Sequence, residues 1–270
     1  MRTACIIWIA FLLVGYQVQA QDSSDVKVLP IFQSKLERQL ITQFESQPFF
    51  LLQSLDAGTN IYHDNWESLV MQLDKLAEKK KSNVQLLSDI FFDTHNRMLK
   101  NYTTFASFAS TLATGAYDCV TGTAVMGLLL ERYGIAYTII ELQGHVYIRG
   151  IVEDVPFVME STQPINGLLI GTRRVRNFEK KISQTVSDPT LETLNERIGQ
   201  RGNSKKQLKI AEIGLKELGG LQYYNDAIRK FESGTFDEAY VQLIKAELLY
   251  PSPRIQQFKV LMEALILAEK

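Results

Sequence analysis

Apolar residues recur at helical spacing toward both ends of the chain, and alternate with polar ones only in the middle. Ile31, Leu36, Leu40, Ile41 and Phe44 share one helical face, as do Leu69, Leu73 and Leu76. Val84 to Leu99 is another amphipathic segment, with Leu87, Ile90, Phe91 and Met98 as its core face. Asp56 to Asn60 reads as a loop, and Lys79 to Ser82 as a solvated basic helix end. Asp118 or Thr121 caps a helix that runs through Ala124, Leu128, Leu129 and Arg132 and stops at Gly134, which puts Cys119 in its first turn. Gly122 and Gly127 each weaken such a helix by about 1 kcal/mol relative to Ala, so close packing against a neighbour is expected there.

The pattern then changes period. Ile135 to Leu142 is rich in β-formers, Gln143-Gly144 breaks it, and His145 to Ile151 alternates. Val146, Ile148 and Gly150 fall on one face of that strand, and His145, Tyr147 and Arg149 on the other. After a turn at Glu153-Asp154, Val155 to Met159 forms a third strand. A two-residue loop at Val152-Glu153 sets His145 directly opposite Glu160; a loop at Glu153-Asp154 makes them diagonal neighbours. Both registers put the pair on one sheet face, whereas a loop one residue longer or shorter separates them.

Gly171 to Lys206 is polar and mixed in charge, the composition of a linker with a short helix. Ser204 to Leu218 is amphipathic again. Gly234 to Ala239, Leu243, Ala246 and Tyr250-Pro251 match the second half of a tetratricopeptide repeat, and Gln222 to Phe231, with Tyr223 and Ala227, fits the first half. Arg254 to Lys270 supplies one more amphipathic helix. A single repeat cannot bury its own face, so these helices are expected to cap the core; a peptide-binding surface is the alternative. The resulting division is 1–20, 21–104 (helical), 105–170 (core), 171–205 (linker) and 206–270 (tetratricopeptide-like).

Composition and charge narrow the chemistry. Arg2, an apolar run from Ala4 to Gly15 and the small-residue ending Val18-Gln19-Ala20 form a cleavable signal peptide, so a secreted or periplasmic protein without a stable membrane anchor is expected. A net charge of −1 carries no nucleic-acid footprint. Cleavage removes Cys5 and leaves Cys119 as the lone thiol, which cannot form an internal disulfide. It is then a buried structural cysteine, an intermolecular bridge or a nucleophile. His63 and His95 have no second ligand at metal spacing and read as structural or exposed. Neither a P-loop nor a dinucleotide fingerprint occurs, so no cofactor and no metal is expected. Asn101-Tyr102-Thr103 fits a glycosylation acceptor, relevant only in a eukaryotic secretory pathway. Cys119, His145 and Glu160 remain as nucleophile, base and orienting acid of a cysteine acyl-transfer site. A helix N-terminus and a histidine partner should lower the Cys119 pKa.

The Gly115-x-Tyr117-Asp118-Cys119 opening, the Gly144-His145-Val146 segment and the Glu160-Ser161-Thr162 ending resemble the bacterial group of the transglutaminase-like superfamily. The resemblance covers about fifty residues and implies an α+β protein with a papain-like core, a helix packed on an antiparallel sheet. Members often carry Asp, commonly followed by Pro-Thr, where Glu160 stands, and an aromatic directly after the histidine, here displaced to Tyr147. No residue matches a side-chain oxyanion donor. The implied activity is peptidase, amidase or glutamine acyl transfer on a protein or peptide substrate through a Cys119 thioester. The alternative is a catalytically inactive member that acts as a protein-binding scaffold, with the C-terminal helices as its contact surface. A second acid, Asp188, lies in a Ser187-Asp188-Pro189-Thr190 string, but Asp before Pro is an ordinary helix start and no strand precedes it.

Overall fold

The structure, a computed structural model, describes residues 30–43, 47–58, 63–79, 82–142, 144–185 and 210–268. The segment read as a signal peptide and Asp188 lie outside the described residues. The chain is α+β. Helices α1 (Lys35–Thr42), α2 (Pro48–Leu51), α3 (Asp64–Lys79) and α4 (Asn83–Arg97) come first. A two-residue strand β1 (Asn101–Tyr102), helix α5 (Phe108–Thr114) and strand β2 (Ala116–Tyr117) lead into helix α6 (Cys119–Arg132). Strands β3 (Tyr137–Leu142), β4 (His145–Val152), β5 (Val155–Met159) and β6 (Leu168–Ile170) follow, then helix α7 (Thr172–Thr185) and strand β7 (Ala211–Ile213). Helices α8 (Leu215–Glu232), α9 (Phe236–Leu249) and α10 (Pro253–Ala268) close the chain.

Helix α6 is the centre of the molecule. Every residue from Val120 to Leu130 is buried, the signature of a helix surrounded on all sides. Its start is fixed by Asp118, whose carboxylate accepts from the Thr121 amide at 2.9 Å and from the Thr121 hydroxyl at 3.3 Å, while the Asp118 amide donates to Thr121 Oγ1 at 3.1 Å. This is a reciprocal capping box, and it makes Cys119 the first helical residue, as expected. The two odd glycines are explained by approach. A Cβ at Gly122 would stand 2.8 Å from the Ser161 Cβ, and one at Gly127 would stand 2.9 Å from Leu215 Cδ2. Both neighbours are seated where a side chain would otherwise be.

One face of the sheet packs on α6. Ile139, Val146, Ile148, Val152, Phe157 and Met159 join the helical core of α3 to α6 there. Burying each such side chain stabilises the fold by roughly 1.5–3 kcal/mol. The alternation read for β4 therefore places Val146 and Ile148 inward, as expected. The five-stranded antiparallel sheet has the order β6-β5-β4-β3-β7. Val152 pairs with Val155 and Ile148 with Met159, so the loop is Glu153-Asp154. Both loop residues take the left-handed conformation, φ 49° and 63°, whose twist matches that of the flanking strands.

Two features go beyond the sequence reading. The short helix read in the linker stretch is α7, and its Val175, Phe178 and Ile182 cover the second sheet face over Ile140, Leu142, Tyr147 and Val158. The chain then returns as β7 and pairs with β3, Ile139 opposite Ile213. A three-residue edge strand after a polar stretch has too few positions to show a period.

The C-terminal helices are part of the core rather than a detached appendage. Leu215, Leu218 and Leu221 of α8 belong to the same cluster as α6. Gln222 accepts from the Phe108 amide at 2.7 Å and donates to the Leu52 carbonyl at 3.3 Å, tying α8 to α5 and α2. The outer parts of α8, α9 and α10 form a second cluster with Ile41 and Leu51. This shared burial is what a structural cap requires.

Candidate active site

Three segments converge at the first turn of α6. Cys119 opens the helix, His145 opens β4, and Glu160 follows the last residue of β5. The observed loop makes His145 and Glu160 diagonal neighbours, the second of the two registers read from the sequence. His145 Nε2 lies 2.5 Å from Glu160 Oε2. The other carboxylate oxygen accepts from the Thr162 amide at 2.9 Å and from the Thr162 hydroxyl at 2.7 Å. The Glu160 amide donates to the Gly167 carbonyl at 2.9 Å, and a Cβ at Gly167 would come within 2.2 Å of the Glu160 carbonyl oxygen. Glu160 is thus held from its backbone and through both oxygens, and is 1 % exposed. A carboxylate fixed in this way holds the imidazole with its Nε2 protonated and leaves the Nδ1 lone pair as the basic position.

Cys119 is half-buried, and the amides of Val146 and Val120 hydrogen-bond toward its sulfur. Val146 directly follows His145, and Ser161, seated against Gly122 one helical turn past Cys119, directly follows Glu160. The same helix face therefore meets the residues that directly follow His145 and Glu160. Among the described residues no hydrogen bond joins the Cys119 sulfur to His145.

The electrostatics reverse one expectation. The Cys119 thiol is not acidified. Shelter from water pushes its pKa well above the ordinary thiol range, the Asp118 and Glu160 carboxylates add to this, and the Val146 and Val120 amides offset only part. The helix N-terminus was expected to favour the thiolate, but its own cap is an anion, and no Lys or Arg is among the causes acting on the sulfur. Burial likewise pushes the Asp118 carboxyl up, to about 6, against the opposing hydrogen bonds from Thr121, Val120 and Asn225.

The sequence reading missed two neighbours. Tyr102 is 58 % exposed beside the site, its ring 5.9 Å from that of Tyr117. His95 is structural, as read, but buried, and neither ring nitrogen has a hydrogen-bond partner among the described residues. Its ring stacks edge-on at 4.7 Å from Phe91, and burial holds its pKa down at about 4 despite the Glu160 charge nearby. The signal for His95 was present: four residues after Phe91, it lies on the apolar face of α4. His63 bonds Gln53 Oε1 at 3.0 Å and is also structural. No cluster of His, Cys, Asp and Glu suited to a metal ion occurs among the described residues, and no described helix is long and apolar enough to cross a membrane. No protein-family model, no curated protein and no solved structure matches this chain.

Proposed function

We propose that this chain is a transglutaminase-like cysteine acyl-transfer enzyme with a papain-like core, α6 packed on the β3–β5 hairpins. The 2.5 Å contact between His145 and Glu160 carries the reading. It joins the two residues that the sequence pattern singles out, at the mouth of the helix that presents the lone thiol. Because the thiol is held protonated, the reaction starts from a neutral pair rather than from a stored thiolate. His145 Nδ1 takes the Cys119 proton as the sulfur attacks the carbonyl carbon of an amide. The carbonyl π pair moves to oxygen, and the backbone amide of Cys119 itself, the first-turn amide not taken up by the Asp118 cap or the sulfur, faces the developing charge. Collapse of the intermediate breaks the C–N bond, the leaving amine takes the proton from His145, and a thioester remains. Water then releases an acid, or a second amine forms a new amide. Glu160 holds the imidazolium throughout. The substrate is a protein or peptide amide, met outside the cytoplasm if the leading segment acts as the export signal it resembles.

The raised thiol favours a second reading, in which the fold is retained as a binding scaffold and Cys119 is silent. p-Nitrophenyl acetate separates the two. The enzyme reading expects p-nitrophenol release that disappears in Cys119→Ala and in His145→Ala. Release that is unchanged by Cys119→Ala leaves the scaffold reading standing.

A further inference from the structure

The site has a backbone donor for an oxyanion, but the sequence offered no side-chain donor. Strand β1 supplies one. Tyr102 pairs in parallel with Tyr117, two residues before Cys119, and the Thr103 amide donates to the Tyr117 carbonyl at 2.8 Å. These contacts fix the backbone of Tyr102 beside the segment that enters the catalytic helix. The two phenol rings meet edge to face at an interplanar angle of 87°, so Tyr117 also fixes the plane of the Tyr102 ring. Tyr117 itself is buried, its Cδ2 3.1 Å from where a Gly122 Cβ would stand. Tyr102 is therefore packed on Tyr117, which borders Gly122 on the face of α6 that carries Cys119, and is the more exposed of the two rings.

We infer that the Tyr102 hydroxyl donates a hydrogen bond to the carbonyl oxygen of the substrate as Cys119 attacks it, completing the oxyanion hole from the side opposite the helix backbone. This rests on the acyl-transfer reading of the site. Among the described residues no hydrogen bond occupies that hydroxyl, so its proton is available to a ligand. A donor to an oxyanion must lie about 2.7–3.1 Å from the oxygen, one bond beyond the carbon that the sulfur attacks. It should therefore be near the sulfur without being bonded to it. Tyr102 lies in that neighbourhood: it pairs with and packs on Tyr117, two residues before Cys119, and no hydrogen bond joins its hydroxyl to the sulfur among the described residues. Shelter from water, then Cys119, Asp118 and Glu160, push its pKa up to about 12, so it remains a donor at any working pH. In the step itself the phenol keeps its proton; it shares it with the oxyanion as the π pair moves to oxygen, and weakens that bond when the carbonyl re-forms.

The test uses two reagents on the full mature chain. p-Nitrophenyl acetate acylates Cys119 through a tetrahedral oxyanion; iodoacetamide alkylates it by displacement at a CH₂ and forms none. Tyr102→Phe keeps the ring packing on Tyr117 and removes only the hydroxyl. It should slow acylation by about 100-fold or more and leave alkylation at the same pH within about twofold of wild type. Acylation unchanged in Tyr102→Phe, with wild-type release still dependent on Cys119, overturns the role of Tyr102 alone. Acylation and alkylation falling together overturns it too, because Tyr102 would then be shaping the thiol rather than binding oxygen. Wild-type release independent of Cys119 overturns the acyl-transfer reading itself, and this inference with it.

Discussion

Two buried glutamates show how the same group is used for different ends. Glu37, on α1, is 2 % exposed and Glu160 is 1 % exposed. Each has both carboxylate oxygens engaged. Glu37 accepts from the Gln33 amide at 2.6 Å, the Tyr223 hydroxyl at 2.9 Å and the Lys245 ammonium at 2.8 Å. Glu160 accepts from Thr162 twice and meets His145. The difference lies in the partner. The Lys245 side chain is 0 % exposed, whereas that of His145 is 18 % exposed. The first cluster is closed: burial lowers the Lys245 pKa, the Glu37 carboxylate opposes that, and the sealed pair fixes α1 to α8 and α9. The second is open on one side and its cation is conditional, so it can change protonation during a reaction. A buried carboxylate marks a function only when its partner can both titrate and be reached.

The largest effect should come from breaking the closed cluster. Lys245→Met leaves Glu37 buried without its cation and should cost about 3–5 kcal/mol in urea unfolding. Adding Glu37→Gln should recover much of that loss. A single variant that loses under about 1 kcal/mol would mean the pair is wet, and the contrast with Glu160 would fail. Next, Glu160→Gln should lower Cys119-dependent release of p-nitrophenol by about 100-fold or more, because a neutral amide no longer stabilises the imidazolium. Its melting temperature should fall less than that of Lys245→Met. Asp188→Asn should leave the release unchanged; a loss equal to that of Glu160→Gln would move the acid to Asp188.

Smaller effects concern pH. With the Cys119 thiol pushed up, iodoacetamide labelling should be slow at pH 6 and still rising beyond pH 9, where a free thiol of pKa about 8.5 has largely levelled off. Rapid labelling at pH 6 would reveal a thiolate–imidazolium pair and reverse the account of the site. The smallest effect belongs to His95, whose folded pKa of about 4 lies below its unfolded value of about 6.5. The stability this difference confers is complete above about pH 6.5 and is lost as pH falls from there through about 4, since the unfolded chain binds a proton that the folded one refuses. The urea midpoint should fall over that window, and less steeply in His95→Phe. An equal slope in the variant would assign the acid sensitivity to other groups.

What the sequence made legible was local. The hairpin loop joins neighbouring strands, so a count along the chain limited the His145–Glu160 geometry to two registers, and one of them occurs. The Asp118 cap and the crowded Gly122 and Gly127 were legible because helix propensity is violated there for a reason. The raised Cys119 thiol was not, because a helix N-terminus argues for acidification while burial and two nearby carboxylates argue more strongly against it. Tyr102 was missed because a two-residue parallel pair leaves no period. Lys245 and Glu37 are separated by most of the chain, and nothing in either segment names the other.

The strand order also sets an order of assembly. β3, β4 and β5 pair with their neighbours in sequence, but the chain leaves the sheet at one edge, as β6, and must rejoin it at the opposite edge, as β7. Closing that long loop is entropically slow, whereas the two hairpins that carry His145 and Glu160 close quickly. We therefore expect His145 and Glu160 to meet early in folding, before the far edge is sealed. In pulsed amide exchange during refolding, Ile148 and Met159 should gain protection before Ile139 gains it from Ile213. The half of the sheet that carries His145 and Glu160 would then serve as the template on which the rest of the molecule is completed.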